Sequence, residues 1–125
     1  MSALPEDVSK AWSDRKGPAI LTTVDGHGNP NSIYVACMKK LDDDRFVIAD
    51  NYFNKTRANI LIGSRAAMLF ITEGGRSFQL KGTVSYETEG VVYDDMKEWL
   101  DSKFPGRAAT VLSVEEVFSG ADRIL

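Results

Sequence analysis

Ser77-Phe78-Gln79-Leu80-Lys81-Gly82-Thr83-Val84-Ser85-Tyr86 is the stretch whose reading decides the fold. Phe78, Leu80, Gly82, Val84 and Tyr86 alternate with Ser77, Gln79, Lys81, Thr83 and Ser85. A period of two puts successive side chains on opposite faces of a strand, so one face is buried and the other is wet or ligand-facing. Gly82 interrupts the apolar series where a side chain is missing. That marks a bulge or a close backbone approach, of the kind that bends a sheet into a barrel.

Working outward, residues 73–76 turn the chain, and residues 66–72 are continuously apolar, as expected of a strand buried on both faces. Further back, residues 18–24 are β-prone and lead into a turn-rich segment, 25–30, whose Asp25-Gly26 is a strong hairpin signal. A strand over 31–41, an acidic turn at Asp42-Asp43-Asp44 and a strand over 45–49 follow, and the three strands are expected to form a meander. Residues 5–12 read as a short helix, with Pro5 at its first position and Val8, Ala11 and Trp12 on its apolar side, lying across one end of a barrel. On the C-terminal side, Thr88 is expected to cap a helix with the stripe Val92, Met96, Trp99 and Leu100. It ends before Phe104-Pro105-Gly106, and a last strand runs over 108–114. Six strands with two or three short helices favour a mainly β, closed or nearly closed antiparallel barrel over a doubly wound sheet.

The 125 residues suffice for one domain with a single modest core, 1–125. No apolar run approaches the ~20 residues needed to span a bilayer, and the N-terminus lacks a basic region followed by an apolar one, so a cytoplasmic protein without a membrane partner is expected. A net charge of −3 with mixed signs argues against nucleic acid as a partner. Cys37 is the single cysteine and His27 the single histidine, so no intrachain disulfide is possible and no zinc site of Cys and His ligands can be assembled. Cys37 reads as a small core residue.

The chemistry is carried by residues 50–63, Asp50-Asn51-Tyr52-Phe53-Asn54-Lys55-Thr56-Arg57-Ala58-Asn59-Ile60-Leu61-Ile62-Gly63. They read as a strand end, a loop and a short helix. Asn54 is expected to cap the helix, Ala58, Leu61 and Ile62 to form its apolar face, and Gly63 to close it in the left-handed conformation. Lys55, Thr56 and Arg57 then stand in the first turn, beside unpaired N–H groups, a setting that suits a phosphate. Cations there oppose the helix dipole at about 0.3 to 1 kcal/mol each, which an anion would offset. With no Gly-rich dinucleotide fingerprint and no Walker loop, this is the one place the chain offers a phosphate.

The order of Gly28-Asn29-Pro30-Asn31-Ser32-Ile33-Tyr34-Val35, the strand Arg45-Phe46-Val47-Ile48-Ala49-Asp50, the segment from Phe53 to Ile60 and Phe78-Gln79-Leu80-Lys81-Gly82 resembles the FMN-binding split barrels related to pyridoxamine 5′-phosphate oxidase. Within that group it is most similar to the small FMN-binding proteins of anaerobic bacteria. The resemblance covers residues 18–114, and its most specific part is Lys55, Thr56 and Asn59. It implies a six-stranded antiparallel split β-barrel of Greek-key type, and a homodimer holding one non-covalent FMN per subunit at its interface. By position, Lys55 and Thr56 become phosphate ligands with Arg57 assisting, and Asn59 hydrogen-bonds within the fold. Ser32, Ile33, Tyr34 and Val35 run along the ring and ribityl chain, Asn51 approaches the ring, and Phe104 lies near the segment through which a partner subunit closes the pocket. Sheet packing for Tyr34 and a turn hydrogen bond for Ser32 are the plain alternatives.

The implied activity is that of an FMN-dependent oxidoreductase or electron-transfer protein with a small-molecule or protein donor and acceptor. The alternatives are a non-catalytic flavin-binding or redox-sensing module, or a split barrel using F420 or haem. A single histidine, in a turn, makes a His-ligated haem less attractive. The end, Gly120-Ala121-Asp122-Arg123-Ile124-Leu125, lacks the Arg-Leu-x-Pro-like region of authentic pyridoxamine-phosphate oxidases, and no second basic cluster appears downstream. Both departures argue against vitamin B6 oxidation.

Overall fold

A computed structural model describes residues 4–125. The first three residues of the N-terminus, read above for a leader, lie outside them. In chain order the elements are α1 (Glu6–Ser13), β1 (Ala19–Val24), β2 (Pro30–Val35), β3 (Met38–Lys40), β4 (Arg45–Asp50), α2 (Lys55–Leu61), β5 (Ala66–Ile71), β6 (Ser77–Glu87), α3 (Val91–Trp99), β7 (Ala108–Ser119) and β8 (Asp122–Arg123). The sheet runs β2-β1-β5-β6-β7-β4-β3 with β8 beside β7, and every pair is antiparallel.

The sheet order forces curvature. Laid flat, seven strands at ~4.8 Å spacing would hold the two edges about 29 Å apart. The edge strands β2 and β3 are nevertheless joined through Ala36 and Cys37, and three peptide units reach at most about 11 Å. The sheet therefore curls until its edges face each other, and the molecule is a split barrel. This corrects the expected meander: the strand read over 31–41 breaks at Ala36-Cys37, and its two halves belong to opposite edges. The count of six expected strands rises to eight through that break and the short β8.

The expectations for β6 hold. Phe78, Leu80 and Gly82 are buried on the barrel side, and the β6–β7 register shifts between Lys81, opposite Glu116, and Gly82, opposite Val114, leaving Glu115 as a bulge. A Cβ on Gly82 would come 1.8 Å from the Ser113 carbonyl oxygen. Inside, Trp12 from α1 meets Phe46 and Phe70 edge-on at 4.7 and 5.2 Å between ring centroids, and Phe70 stacks on Phe78 at 5.5 Å. Met68, Leu80, Leu112 and Val114 complete the core. On the outer face of β4 and β7, α3 covers Val47, Ala49, Ala109 and Val111 with Met96 and Leu100. Cys37 joins this second cluster half-buried rather than as a core residue.

Three further expectations change. Strand β5 is buried on one face only, with Leu69 and Ile71 exposed on the other. Helix α3 starts at Gly90, whose φ of 100° serves as the entry, and not at Thr88. Pro5 stands just before α1 instead of at its first position. No helix among the described residues is long and apolar enough to cross a membrane.

Candidate functional site

Strand β4 ends at Asp50, and the chain loops through residues 51–54 into α2. The loop is anchored by one carboxylate. Asp50 Oδ1 accepts hydrogen bonds from the Phe53 N–H at 3.0 Å and from Arg57 Nη2 at 3.0 Å; Oδ2 accepts from Arg57 Nε at 2.7 Å and from the Tyr86 hydroxyl at 2.5 Å. Arg57 Nε also donates to the Tyr86 oxygen at 3.1 Å. The Asp50 side chain is fully enclosed and that of Arg57 is 28% exposed. Burial alone would raise the Asp50 carboxyl, but the hydrogen bonds from Arg57, Tyr86 and Phe53 together outweigh it and hold it below the usual carboxylate range. The Asp50 partnership raises the Arg57 guanidinium. Tyr86 is pushed up by burial first and by Asp50 second.

Helix α2 ends as expected. Gly63 has φ 97°, its N–H bonds the Ile60 carbonyl at 3.0 Å, and the Ser64 N–H bonds the Asn59 carbonyl at 3.0 Å, which is a Schellman closure. Its start and its faces differ from expectation. Asn54 occupies the cap position without a side-chain cap hydrogen bond. The buried residues are Thr56, Asn59 and Ile60, while Ala58, Leu61 and Ile62 face outward. Polar side chains can turn inward here because each has a partner: Asn31 Nδ2 donates to Thr56 Oγ1 at 3.1 Å, and Asn59 Nδ2 donates to Thr23 Oγ1 at 3.0 Å. Asn59 thus bonds within the fold, as expected. Lys55 is exposed and makes no ion pair among the described residues.

Two cavities adjoin this segment. One, of about 170 Å3, is lined by Asn31, Ile33, Tyr52, Phe53, Asn54, Lys55 and Thr56. The other, of about 200 Å3, runs from Ile33, Tyr34 and Val35 past Ala36 and Cys37 to Ala49, Asn51, Tyr52 and Phe53. Shared walls at Ile33, Tyr52 and Phe53 make them one groove, lying between β2 and the segment that runs from the end of β4 into α2. It carries a free cation and a hydroxyl at one end and mostly apolar walls at the other. That arrangement suits an anionic group joined to a flat apolar body.

Of the residues expected from sequence, the groove brings together Ile33, Tyr34, Val35, Asn51, Lys55 and Thr56. Asn51 is also spent on the fold, since its Oδ1 accepts the Gly106 N–H at 3.0 Å. Ser32 shares the outer face of β2 with Tyr34 but lies outside the groove, its hydroxyl meeting Thr22 Oγ1 at 2.8 Å. Arg57 is engaged by Asp50, and Phe104 packs in the cluster under α3; none of the three lines the groove of this chain. Sequence reasoning missed Asn31, Tyr52, Phe53 and Cys37. Tyr52 and Phe53 could have been found, because they stand between Asn51 and Lys55 on one short loop. His27 is exposed in the β1–β2 turn, and no group of three His, Cys, Asp or Glu among the described residues could hold a metal ion.

The family model for pyridoxamine 5′-phosphate oxidase matches residues 6–120. The HupZ protein of Group A Streptococcus superposes with a TM-score of 0.80 at 25% identity, over 93% of each chain. An FMN-binding protein from Syntrophomonas wolfei gives 0.72 at 20% identity, over 94% of this chain and 97% of that one. An F420 reductase gives 0.66 at 18% identity, over 92% and 98%; the last two likenesses show the fold alone. An uncharacterized protein of Methanocaldococcus jannaschii is 28% identical over 104 residues, 79% of this chain and 70% of the relative.

Proposed function

The chain belongs to the pyridoxamine 5′-phosphate oxidase family, and from that premise we propose that its groove holds FMN non-covalently, as part of an oxidoreductase or electron-transfer protein. The observation that carries this reading is the continuity of the groove from Lys55 and Thr56 to Ile33, Tyr34 and Val35. Lys55 holds the phosphate as a point charge, with the Thr56 hydroxyl beside it. Ile33 and Phe53 flank the linking chain, and the wall from Tyr34 to Cys37 receives the ring. When bound, the flavin supplies the redox chemistry, and the protein supplies orientation and polarity around it.

The groove wall includes Tyr34 and Tyr52, 75% and 74% exposed, so one chain encloses only part of such a ligand. A second copy completes it. Tyr34 lies in the groove wall and also opens an exposed row across the outer sheet face, register-paired through Ile20 to Leu69 and on to Gln79 and Phe118. Tyr34 is 75% exposed and Leu69 40% in the single chain, and Ile71 stands on the same face. A homodimer packed on this row buries the apolar side chains and closes the groove mouth, with the partner's region around its own Phe104 segment available to cover the ring.

The test is titration of FMN and riboflavin into wild-type protein and Lys55→Ala. Thr56 is left in place because removing its hydroxyl would also leave the half-buried Asn31 amide without its partner. A charge-assisted contact is worth about 1.5 to 3 kcal/mol, so Lys55→Ala should weaken FMN by roughly tenfold or more and leave riboflavin nearly unchanged. Equal losses place the phosphate elsewhere. Selective binding of F420 over FMN would transfer the groove to the deazaflavin.

A further inference from the structure

Most of the groove wall contributed by the loop after β4 lies between two attachments to the same carboxylate. Asp50 precedes Asn51, Tyr52, Phe53, Lys55 and Thr56, and Arg57 follows them. The enclosed Asp50 side chain accepts both guanidinium donors of Arg57, the Phe53 N–H inside the loop, and the hydroxyl of Tyr86 on the barrel wall. All four bonds converge on two oxygens, and the Arg57 pairing is bidentate, the geometry that fixes direction as well as distance. The ring end of the loop is held separately: Gly106 bonds Asn51 Oδ1, and the Arg107 N–H bonds the Asp50 carbonyl at 2.8 Å.

We propose that Asp50 is a positioning residue for the anionic end of the groove, acting through Arg57 and the Phe53 N–H to hold Lys55 and Thr56 in register with the β2 wall. Arg57 then belongs to the frame and not to the phosphate's own contacts. A loop already fixed in its binding geometry spares the ligand the cost of ordering it. The proposal rests on the FMN reading of the groove, and it assigns the loss caused by loosening the clamp to the phosphate end alone, because Gly106 and Arg107 keep the ring end in place.

The experiment combines hydrogen–deuterium exchange on the cofactor-free full chain with FMN and riboflavin titrations, for wild type, Asp50→Asn and Tyr86→Phe. Asp50→Asn should speed exchange of the Phe53 amide, which bonds the carboxylate, and of the hydrogen-bonded α2 amides over 58–62, relative to the rest of the chain. It should weaken FMN at least about tenfold while riboflavin changes by less than about twofold. Tyr86→Phe keeps the ring packing and the Arg57 pairing and should move both readouts the same way by less; it also carries the comparison if Asp50→Asn does not fold. Unchanged exchange in the variants, or equal loss of the two flavins, overturns the proposal. A wild-type protein that binds neither flavin removes the cofactor reading and the positioning role with it, and the exchange arm separates that outcome from a failure of the clamp.

Discussion

Gly82 is the residue at which the barrel has no room for a side chain. Its Cβ position falls 1.8 Å from a backbone carbonyl on β7, and backbone cannot swing aside as a flexible side chain would. Gly82→Ala should therefore destabilise the fold by roughly 3 kcal/mol or more, read as a lowered urea midpoint with an unchanged slope. A loss under about 1 kcal/mol would mean that the β6–β7 bulge relaxes freely. This residue was legible in the sequence because the signal is local: a gap in an otherwise regular alternation. Arg57 was not. Its place after Lys55 and Thr56 makes it look like a third phosphate cation, and only Tyr86, 29 residues further on, together with the enclosed Asp50 reveals that its charge is already matched. Lys55 has no such partner among the described residues and lines the groove.

At the scale of elements, apolar spacing misled where polar side chains had partners. In α2 the residues that look like a buried stripe, Leu61 and Ile62, are exposed, while Thr56 and Asn59 turn inward because Asn31 and Thr23 satisfy them. Nor does residue type alone mark the break between β2 and β3, since Ala36 and Cys37 are ordinary strand residues; what separates the two halves is that each is an edge strand paired with a different neighbour, β1 or β4. The junction of β4, α2 and β6 has its own pH signature. Asp50 titrates lower folded than unfolded, so its contribution is present above about pH 4 and is lost as pH falls through the lowered folded value. Tyr86 titrates higher folded than unfolded, so its contribution is present below about pH 10 and is lost as pH rises through the raised folded value. Urea midpoints from about pH 2 to about pH 7 should fall less steeply on the acid side for Asp50→Asn than for wild type. Parallel curves would show that another carboxylate governs acid unfolding.

For the whole molecule, the proposed dimer would join fold and function on the outward sheet row. Residues 66–72 read as a strand buried on both faces, and the single chain buries only one; a second copy over Leu69 and Ile71 would restore the two-sided burial that their composition suggests. The same copy would close a groove that one chain leaves open. Barrel class and the place of Lys55 and Thr56 in the first turn of α2 could be read from sequence, because alternation and a short polar motif are local patterns. The closure of the sheet could not, because it depends on which distant strands pair. Sedimentation of the FMN-incubated protein, followed at the flavin absorption band, reads the proposed flavin and the proposed second copy together. Flavin absorbance should move with a species of twice the 13.8 kDa chain, one flavin per chain, and flavin that stays behind or travels with a single chain would contradict a phosphate-anchored flavin enclosed between two copies.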